Sequence, residues 1–245
     1  MARPARYALF ALVHVSMCSG LAKLGRNYKK PEMQYIEVKA DGSDAWRAEV
    51  AVEALKNGGI GVIPTDTSYS FVADPACKDA VARLLALKGN ENAKKPLSLL
   101  CADLGTIDRY TRYNDKATFK VLKKALPGPY TFVLPASENL PRVVFKGGRQ
   151  WKRHTVGVRL PDDAVSQFVL DGLDGPLFSS SVPTSEDGDQ LVCMSPLQGG
   201  DTAWCENVDF IIDAGQRPIE GSTIYDLVEE PTMLRQGLGP PLDGL

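Results

Sequence analysis

The segment GGIGVIPTDTSYSFVADPACKDAVARLLALKGNENAKKPLSLL, Gly58 to Leu100, sets the architecture. Its glycine pair can close a preceding helix, because glycine accepts the left-handed cap conformation. Ile60 to Ile63 is a short apolar run and reads as a buried strand. A turn follows that is crowded with hydroxyls around one carboxylate: Thr65, Asp66, Thr67, Ser68 and Tyr69. Asp74-Pro75 has the pattern of a helix start, with aspartate as cap and proline at the first helical position. That helix is expected to end at Lys88-Gly89, and Leu97 to Cys101 reads as the next strand. Small polar groups at a strand end, with lysines after a helix, suit an anionic ligand.

Working outward, Met33–Val38 alternates like a strand. Ser43 or Asp44 is placed to cap a helix running to about Lys56, with Trp46, Val50, Ala54 and Leu55 as its apolar stripe. Asp103 opens a short helix to Tyr110. Lys116–Leu126 is amphipathic, with Phe119, Leu122 and Leu126 inward, and Pro127-Gly128-Pro129 stops it. Tyr130–Leu134, Thr155–Leu160, Pro176–Val182, Val208–Asp213, Ser222–Leu227 and Thr232–Arg235 read as strands, and Pro161-Asp162 starts a helix to about Leu173. Strands and helices mix irregularly, which predicts an α/β (α+β) fold with a twisted mixed sheet flanked by helices.

The 245 residues allow one large domain or two small ones. Residues 1–30 carry six of the 28 basic residues and no acid, which leaves 22 basic against 30 acidic residues elsewhere. A globally basic nucleic-acid binder is therefore excluded, and any such contact must be a local patch. The layout of residues 1–30 (Arg3 and Arg6, then the apolar run Tyr7–Met17, then Ser19 and Gly20) fits an organellar transit peptide, a secretory signal or a disordered start. Its apolar run falls short of the ~20 residues that span a bilayer, so no membrane is expected. The segment is set aside as targeting or disordered, leaving 31–245 as a single domain; a transit peptide would direct the chain to a plastid or mitochondrion, and without one a cytoplasmic location is expected.

The five cysteines form no CxxC pair and no zinc spacing, and Cys77 and Cys101 lie in apolar contexts that suit core residues. The scattered thiols point to a reducing compartment and argue against secretion. HExxH, GxSxG, GxGxxG and GxxxxGK[ST] patterns are all absent, so zincin, hydrolase-elbow, Rossmann and P-loop readings lack their signatures.

Polar residues gather at strand ends: Thr65–Thr67, Thr131, Ser179–Ser181 and Ser222–Thr223, with Arg159 and Arg235 on two further strands. Hydroxyls and backbone N–H groups coordinate phosphate or carboxylate oxygens, and cations supply the compensating charge. Singly, each has a plainer reading: a serine bonded locally, Arg159 paired with a buried carboxylate, Lys88 facing a helix dipole. Residues 141–154 hold the most basic internal stretch, with Arg149, Lys152 and Arg153 around Trp151. Such a loop is a solvated surface segment, a lid over a nucleotide, or an RNA contact in which cations track phosphate and the aromatic stacks a base.

Taken together, these motifs resemble the YrdC/YciO family. The resemblance runs through PTDT (Pro64–Thr67) with Tyr69, Lys88-Gly89-Asn90, KPLS (Lys95–Ser98), PGPYTFVL (Pro127–Leu134), TVGVR (Thr155–Arg159), Ser179–Ser181, STIYDL and LRQG (Leu234–Gly237). It covers about residues 43–240 in the correct order. It implies a twisted sheet with a large concave, electropositive face. It also implies threonylcarbamoyl-AMP synthesis from L-threonine, bicarbonate and ATP with magnesium, with pyrophosphate released, for modification of a tRNA adenosine, and a tRNA-modifying enzyme as partner. By motif, Lys88 and Arg159 would serve catalysis. Thr65, Thr67, Tyr69, Lys95 and Ser179 would contact substrate, and Lys88, Thr131, Ser181, Ser195 and Arg235 the nucleotide; the metal's own ligands are left open. The alternative implied is a protein of the same fold that binds tRNA or double-stranded RNA without the synthase reaction. Two positions depart from the synthase pattern: Asn90 stands where an arginine is usual, and Pro183 where an asparagine is usual. They make the chain look closer to the YciO branch. A lost charged contact to phosphate costs about 1.5–3 kcal/mol.

Overall fold

Each short apolar run bounded by glycine or proline becomes a strand of one sheet. The computed structural model describes residues 32–88, 96–113, 115–141, 154–183 and 203–243. Its strands are β1 (Gln34–Glu37), β2 (Ile60–Ile63), β3 (Ser70–Ala73), β4 (Ser98–Leu100), β5 (Tyr130–Pro135), β6 (Thr155–Arg159), β7 (Leu177–Ser181), β8 (Phe210–Asp213), β9 (Thr223–Asp226) and β10 (Thr232–Arg235). They join in the order β1-β8-β2-β3-β7-β4-β6-β5-β9-β10, with parallel and antiparallel neighbours mixed. The helices are α1 (Glu49–Lys56, preceded by a 3₁₀ turn at Ala45–Ala48), α2 (Lys78–Leu87), α3 (Leu104–Tyr110), α4 (Lys116–Ala125) and α5 (Ala164–Asp171). The mixed α/β class read from the sequence is the one observed. Among the described residues no helix is long and apolar enough to cross a membrane.

The two faces of the sheet differ, and the difference makes the site. One face is mainly apolar: Val62, Phe71, Phe178, Leu99, Val158, Phe132 and Tyr225 pack in one cluster with Leu84 of α2, Ile107 of α3 and Leu122 of α4. On the other face Ile36, Phe210, Ile63, Val72, Leu177 and Leu100 pack under Val52 and Leu55 of α1 and Val165 and Val169 of α5. Further along that second face the residues turn small and polar.

Several local expectations are corrected. Strand β3 directly follows the polar turn; being buried on both faces it shows no alternation, and the sequence reading passed over it. The helix near Asp44 forms, but Trp46 is 69% exposed and Val50 is exposed too. Ala45, Ala48, Ala51, Val52 and Leu55 are the residues it buries. Asp44 does not cap it; its Oδ1 accepts the Lys39 N–H instead. Asp74 builds a tight turn by accepting the Ala76 N–H, and α2 begins three residues after Pro75. Phe119 is 42% exposed on α4, while Leu122 and Leu126 point inward as expected. Asp103 caps α3 through Thr106 N–H at 2.6 Å, and Asp115 caps α4 through Thr118 N–H. Cys77 and Cys101 are buried free thiols in the core, and burial pushes the Cys101 thiol up.

Candidate functional site

Strand register puts the polar residues on one face. Across β3, β7, β4 and β6 the partners are Ser70 with Ser181, Val72 with Ser179, Ser179 with Ser98, and Ser98 with Gly157. Gly157 pairs in turn with Val133, and Thr131, two residues back on β5, shares that face. Gly157 is the floor of this strip. A Cβ there would lie 3.0 Å from Ser98 Oγ and 3.2 Å from Thr131 Cγ2. Its lack of a side chain lets neighbouring groups approach the middle of the strip closely. Ser179 Oγ donates to the Ser98 carbonyl at 3.3 Å.

Arg159 ends β6 beside this strip and is 6% exposed. Its Nη2 donates to Asp66 Oδ1 at 2.8 Å and to Thr67 Oγ1 at 2.8 Å. Asp66 Oδ2 accepts the Asp162 N–H at 3.2 Å. Burial pushes the Asp66 carboxyl up and the Arg159 guanidinium down. The ion pair opposes both shifts, while nearby Arg235 depresses Arg159 further. Removing one partner of such a buried pair costs about 3–5 kcal/mol, because the other charge is stranded. The Arg159 Nε–H is buried with no acceptor among the described residues. An unmet buried donor costs about 1–3 kcal/mol, which an incoming anionic oxygen would recover.

The second cation comes from the edge strand. Arg235 Nε and Nη2 donate to the Ser222 carbonyl at 3.1 and 2.6 Å, and Ser222 Oγ shares a hydrogen bond of 2.6 Å with Thr131 Oγ1. Gly221 makes room for the guanidinium: a Cβ there would lie 2.5 Å from Arg235 Nη2. The Gly237 N–H donates to Thr223 Oγ1 and the Leu238 N–H to the Gly221 carbonyl, which clamps the LRQG segment onto the start of β9. Two arginines that repel each other thus stand over a strip of hydroxyls, an arrangement suited to an anion.

Thr67, Arg159, Thr131, Ser179, Ser181 and Arg235 therefore belong to one region. Thr65 and Tyr69 are engaged in hydrogen bonds that shape the surrounding chain, and Thr65 Oγ1 also lies 3.3 Å from Thr67 Oγ1. Thr65 Oγ1 donates to the Ser68 carbonyl and accepts the N–H groups of Thr67 and Ser68, so its hydroxyl shapes the turn. Tyr69 is buried on the opposite face; its hydroxyl donates to the Gly215 carbonyl and accepts the Ala214 N–H, anchoring the chain after β8. Lys88 is the half-buried C-cap of α2. Lys95, Ser195 and the basic residues Arg149, Lys152 and Arg153 lie outside the described residues. The sequence places Asp66 and Ser222 among the polar strand ends without giving either a role, and nothing in it singles out Asp163 or Arg217 as supporting residues. Asp163 caps α5 through Val165 and Ser166 N–H and pairs with buried Arg217 at 2.9 Å. Among the described residues no three His, Cys, Asp or Glu side chains cluster as a metal site.

A family model built on Sua5, YciO and YrdC proteins, described as "Telomere recombination", matches residues 53–237. The chain belongs to the Sua5/YciO/YrdC family. It is 29% identical to the uncharacterized YciO of Escherichia coli over 210 residues, covering 84% of this chain and 96% of that one. The crystal structure of E. coli YciO superposes with a TM-score of 0.70 at 28% identity, over 85% of this chain and 98% of the other. A threonylcarbamoyl-AMP synthase of Halorhodospira halophila is 35% identical over 144 residues, 59% of this chain and 72% of that protein. The Pyrococcus abyssi Sua5 structure, solved with L-threonine, gives a TM-score of 0.64 at 26% identity. It covers 84% of this chain, which spans only 57% of that Sua5.

Proposed function

We propose that this Sua5/YciO/YrdC-family chain is a threonylcarbamoyl-AMP synthase, joining L-threonine, bicarbonate and ATP on the polar strip. The observation that carries the reading is Arg159: a buried cation with an unmet Nε–H, beside hydroxyls and a second arginine. A relative named for this activity and a Sua5 structure holding L-threonine support it.

In the proposed reaction the threonine amine bonds to the carbon of CO₂ released from bicarbonate and gives up a proton. A carbamate oxygen then bonds to the α-phosphorus of ATP. The bond from that phosphorus to its bridging oxygen breaks, and pyrophosphate leaves with the electron pair. No protein nucleophile is required. The chain's part is to position reactants and stabilise developing negative charge. Arg159 binds an anionic oxygen of threonine or phosphate, the Thr131–Ser222 pair and Arg235 hold the nucleotide, and the strip over Gly157 admits both reactants closely. Magnesium enters as part of the ATP substrate and neutralises phosphate charge.

The test is pyrophosphate release by the full chain, with and without threonine and bicarbonate, beside Arg159→Ala. Release that requires both co-substrates and disappears in the variant is the expected result. Release indifferent to threonine, or no release from folded protein, overturns the reading.

A further inference from the structure

The residue between the two threonines of the PTDT turn has a role that neither the motif reading nor the proposed reaction assigns. Guanidinium has five N–H donors in a rigid fork. In Arg159 both protons of Nη2 are taken, one by Asp66 and one by Thr67. Asp66 is itself held from behind, since its other oxygen accepts the Asp162 N–H and the side chains of both members of the ion pair are 7% exposed. With that end of the fork tied off, the Nε–H is left buried without an acceptor among the described residues. We propose that Asp66 is the positioning residue of Arg159, fixing the fork so that its Nε–H meets an anionic oxygen of the bound ligand. The inference rests on reading the strip as the ligand site. The ligand oxygen is a carboxylate or a phosphate, and separate titrations distinguish them.

The carboxylate is the group this task needs. One oxygen accepts from a cation and the other from a peptide N–H, so both ends must be acceptors. Asparagine has the same shape, but its amide must turn an N–H donor toward either Arg159 or the Asp162 N–H. Asp66→Asn therefore breaks one of the two anchors at constant volume. Thr67→Val removes the other anchor on Nη2 and leaves Asp66 in place, which keeps the test available should Asp66→Asn not fold.

Two measurements on the full-length protein decide the matter. The first is the ¹⁵N-resolved Arg Nε–H spectrum, with the Arg159 signal identified by its loss in Arg159→Lys. Asp66→Asn and Thr67→Val should shift that signal or speed its exchange with water. The second is calorimetric titration with L-threonine and, separately, with ATP. Asp66→Asn should weaken by about tenfold whichever ligand Arg159 holds. Asp66→Ala combined with Arg159→Ala should then be no weaker than Arg159→Ala alone, because Asp66 acts through the arginine. An unmoved Nε–H signal overturns the proposal. So does a double variant whose loss is the product of the two single losses, which would make Asp66 a stabilising residue with no bearing on the arginine. If the wild type binds neither ligand, the synthase reading falls, and the Nε–H spectrum still decides whether Asp66 positions Arg159.

Discussion

Thr131 and Ser222 share a 2.6 Å hydrogen bond between their hydroxyls, and Arg235 donates to the carbonyl of that same serine. One residue thereby ties the strip to the edge-strand cation. Gly221→Ala attacks this link sterically, since its Cβ would lie 2.5 Å from Arg235 Nη2. Displacement of Arg235 should weaken ATP binding at least about tenfold and affect threonine binding less. Calorimetric titration with each ligand checks the asymmetry, and equal losses would place Arg235 elsewhere in the reaction.

Gly157→Ala puts a methyl into the floor, 3.0 Å from Ser98 Oγ. Neighbours must give by a few tenths of an ångström, and the space above the strip shrinks. Ligand affinity should fall by about tenfold, while stability changes by no more than about 1–3 kcal/mol, the usual range for overpacking. Urea unfolding and ligand titration on the same preparation separate the two effects.

Asp163→Ala removes the α5 cap and breaks the ion pair with the largely buried side chain of Arg217. A loss of about 3–5 kcal/mol is expected. It should be visible as a lower urea midpoint with an unchanged slope. Asp163→Asn, which keeps an oxygen for the cap, should lose less.

Asp66 also gives the stability curve a definite sign with pH. Its folded-state carboxyl is raised above the ordinary 3.8 by burial, with Asp163 adding to the shift and Arg159 and the Asp162 N–H opposing it. The folded state therefore holds this proton more tightly than the unfolded state. Its contribution is fully present below 3.8 and is lost as pH rises through the folded value. Asp103, whose carboxyl is lowered by the Thr106 N–H, contributes in the opposite direction: its stabilisation is fully present above 3.8 and is lost as pH falls through the folded value. Between wild type and Asp66→Asn, the stability difference measured by urea unfolding should shift in the variant's favour as pH rises from 3.5 to 6. A flat difference would show that the Asp66 carboxyl is not perturbed.

Much of the sheet was legible because its strands are short β-rich runs closed by glycine and proline. In the helix at Ala45–Lys56 the expected stripe is half right: Leu55 is buried and Ala54 packs on the core, whereas Trp46 and Val50 face outward. Size was read as burial, whereas α1 packs closely against α5 and the sheet and so buries alanines. Trp46→Ser should accordingly change stability by less than about 0.5 kcal/mol, against about 2–5 kcal/mol for Leu55→Ala; thermal or urea unfolding of the pair distinguishes the faces. Arg159 stood out as a charge in an apolar strand, and its two readings, buried ion pair and anion contact, prove to be compatible. Its partner was not legible, because Asp66 lies 93 residues away and sits in a turn whose hydroxyls drew attention first. Ser98 and Gly157 gained meaning only from strand register, which pairs them across β4 and β6. No local pattern in either strand specifies that register.

The position of β8 between β1 and β2 governs how such a chain can be made. Among the described strands β1 pairs only with β8, and the Tyr35 hydroxyl bonds Asp213, 178 residues later in sequence. During vectorial synthesis β1 leaves the ribosome early and waits, its edge unclaimed, until more than two hundred residues have been made. Arg235 emerges later still. Contacts so distant in sequence slow folding through the entropy of closing long loops, and they leave β1 and β2 as open edges on the nascent chain. A partly translated chain can hold the serines and Arg159, yet it lacks the completed sheet and the second arginine beside the strip. The polar strip and both of its arginines thus come together only once β10 has been made.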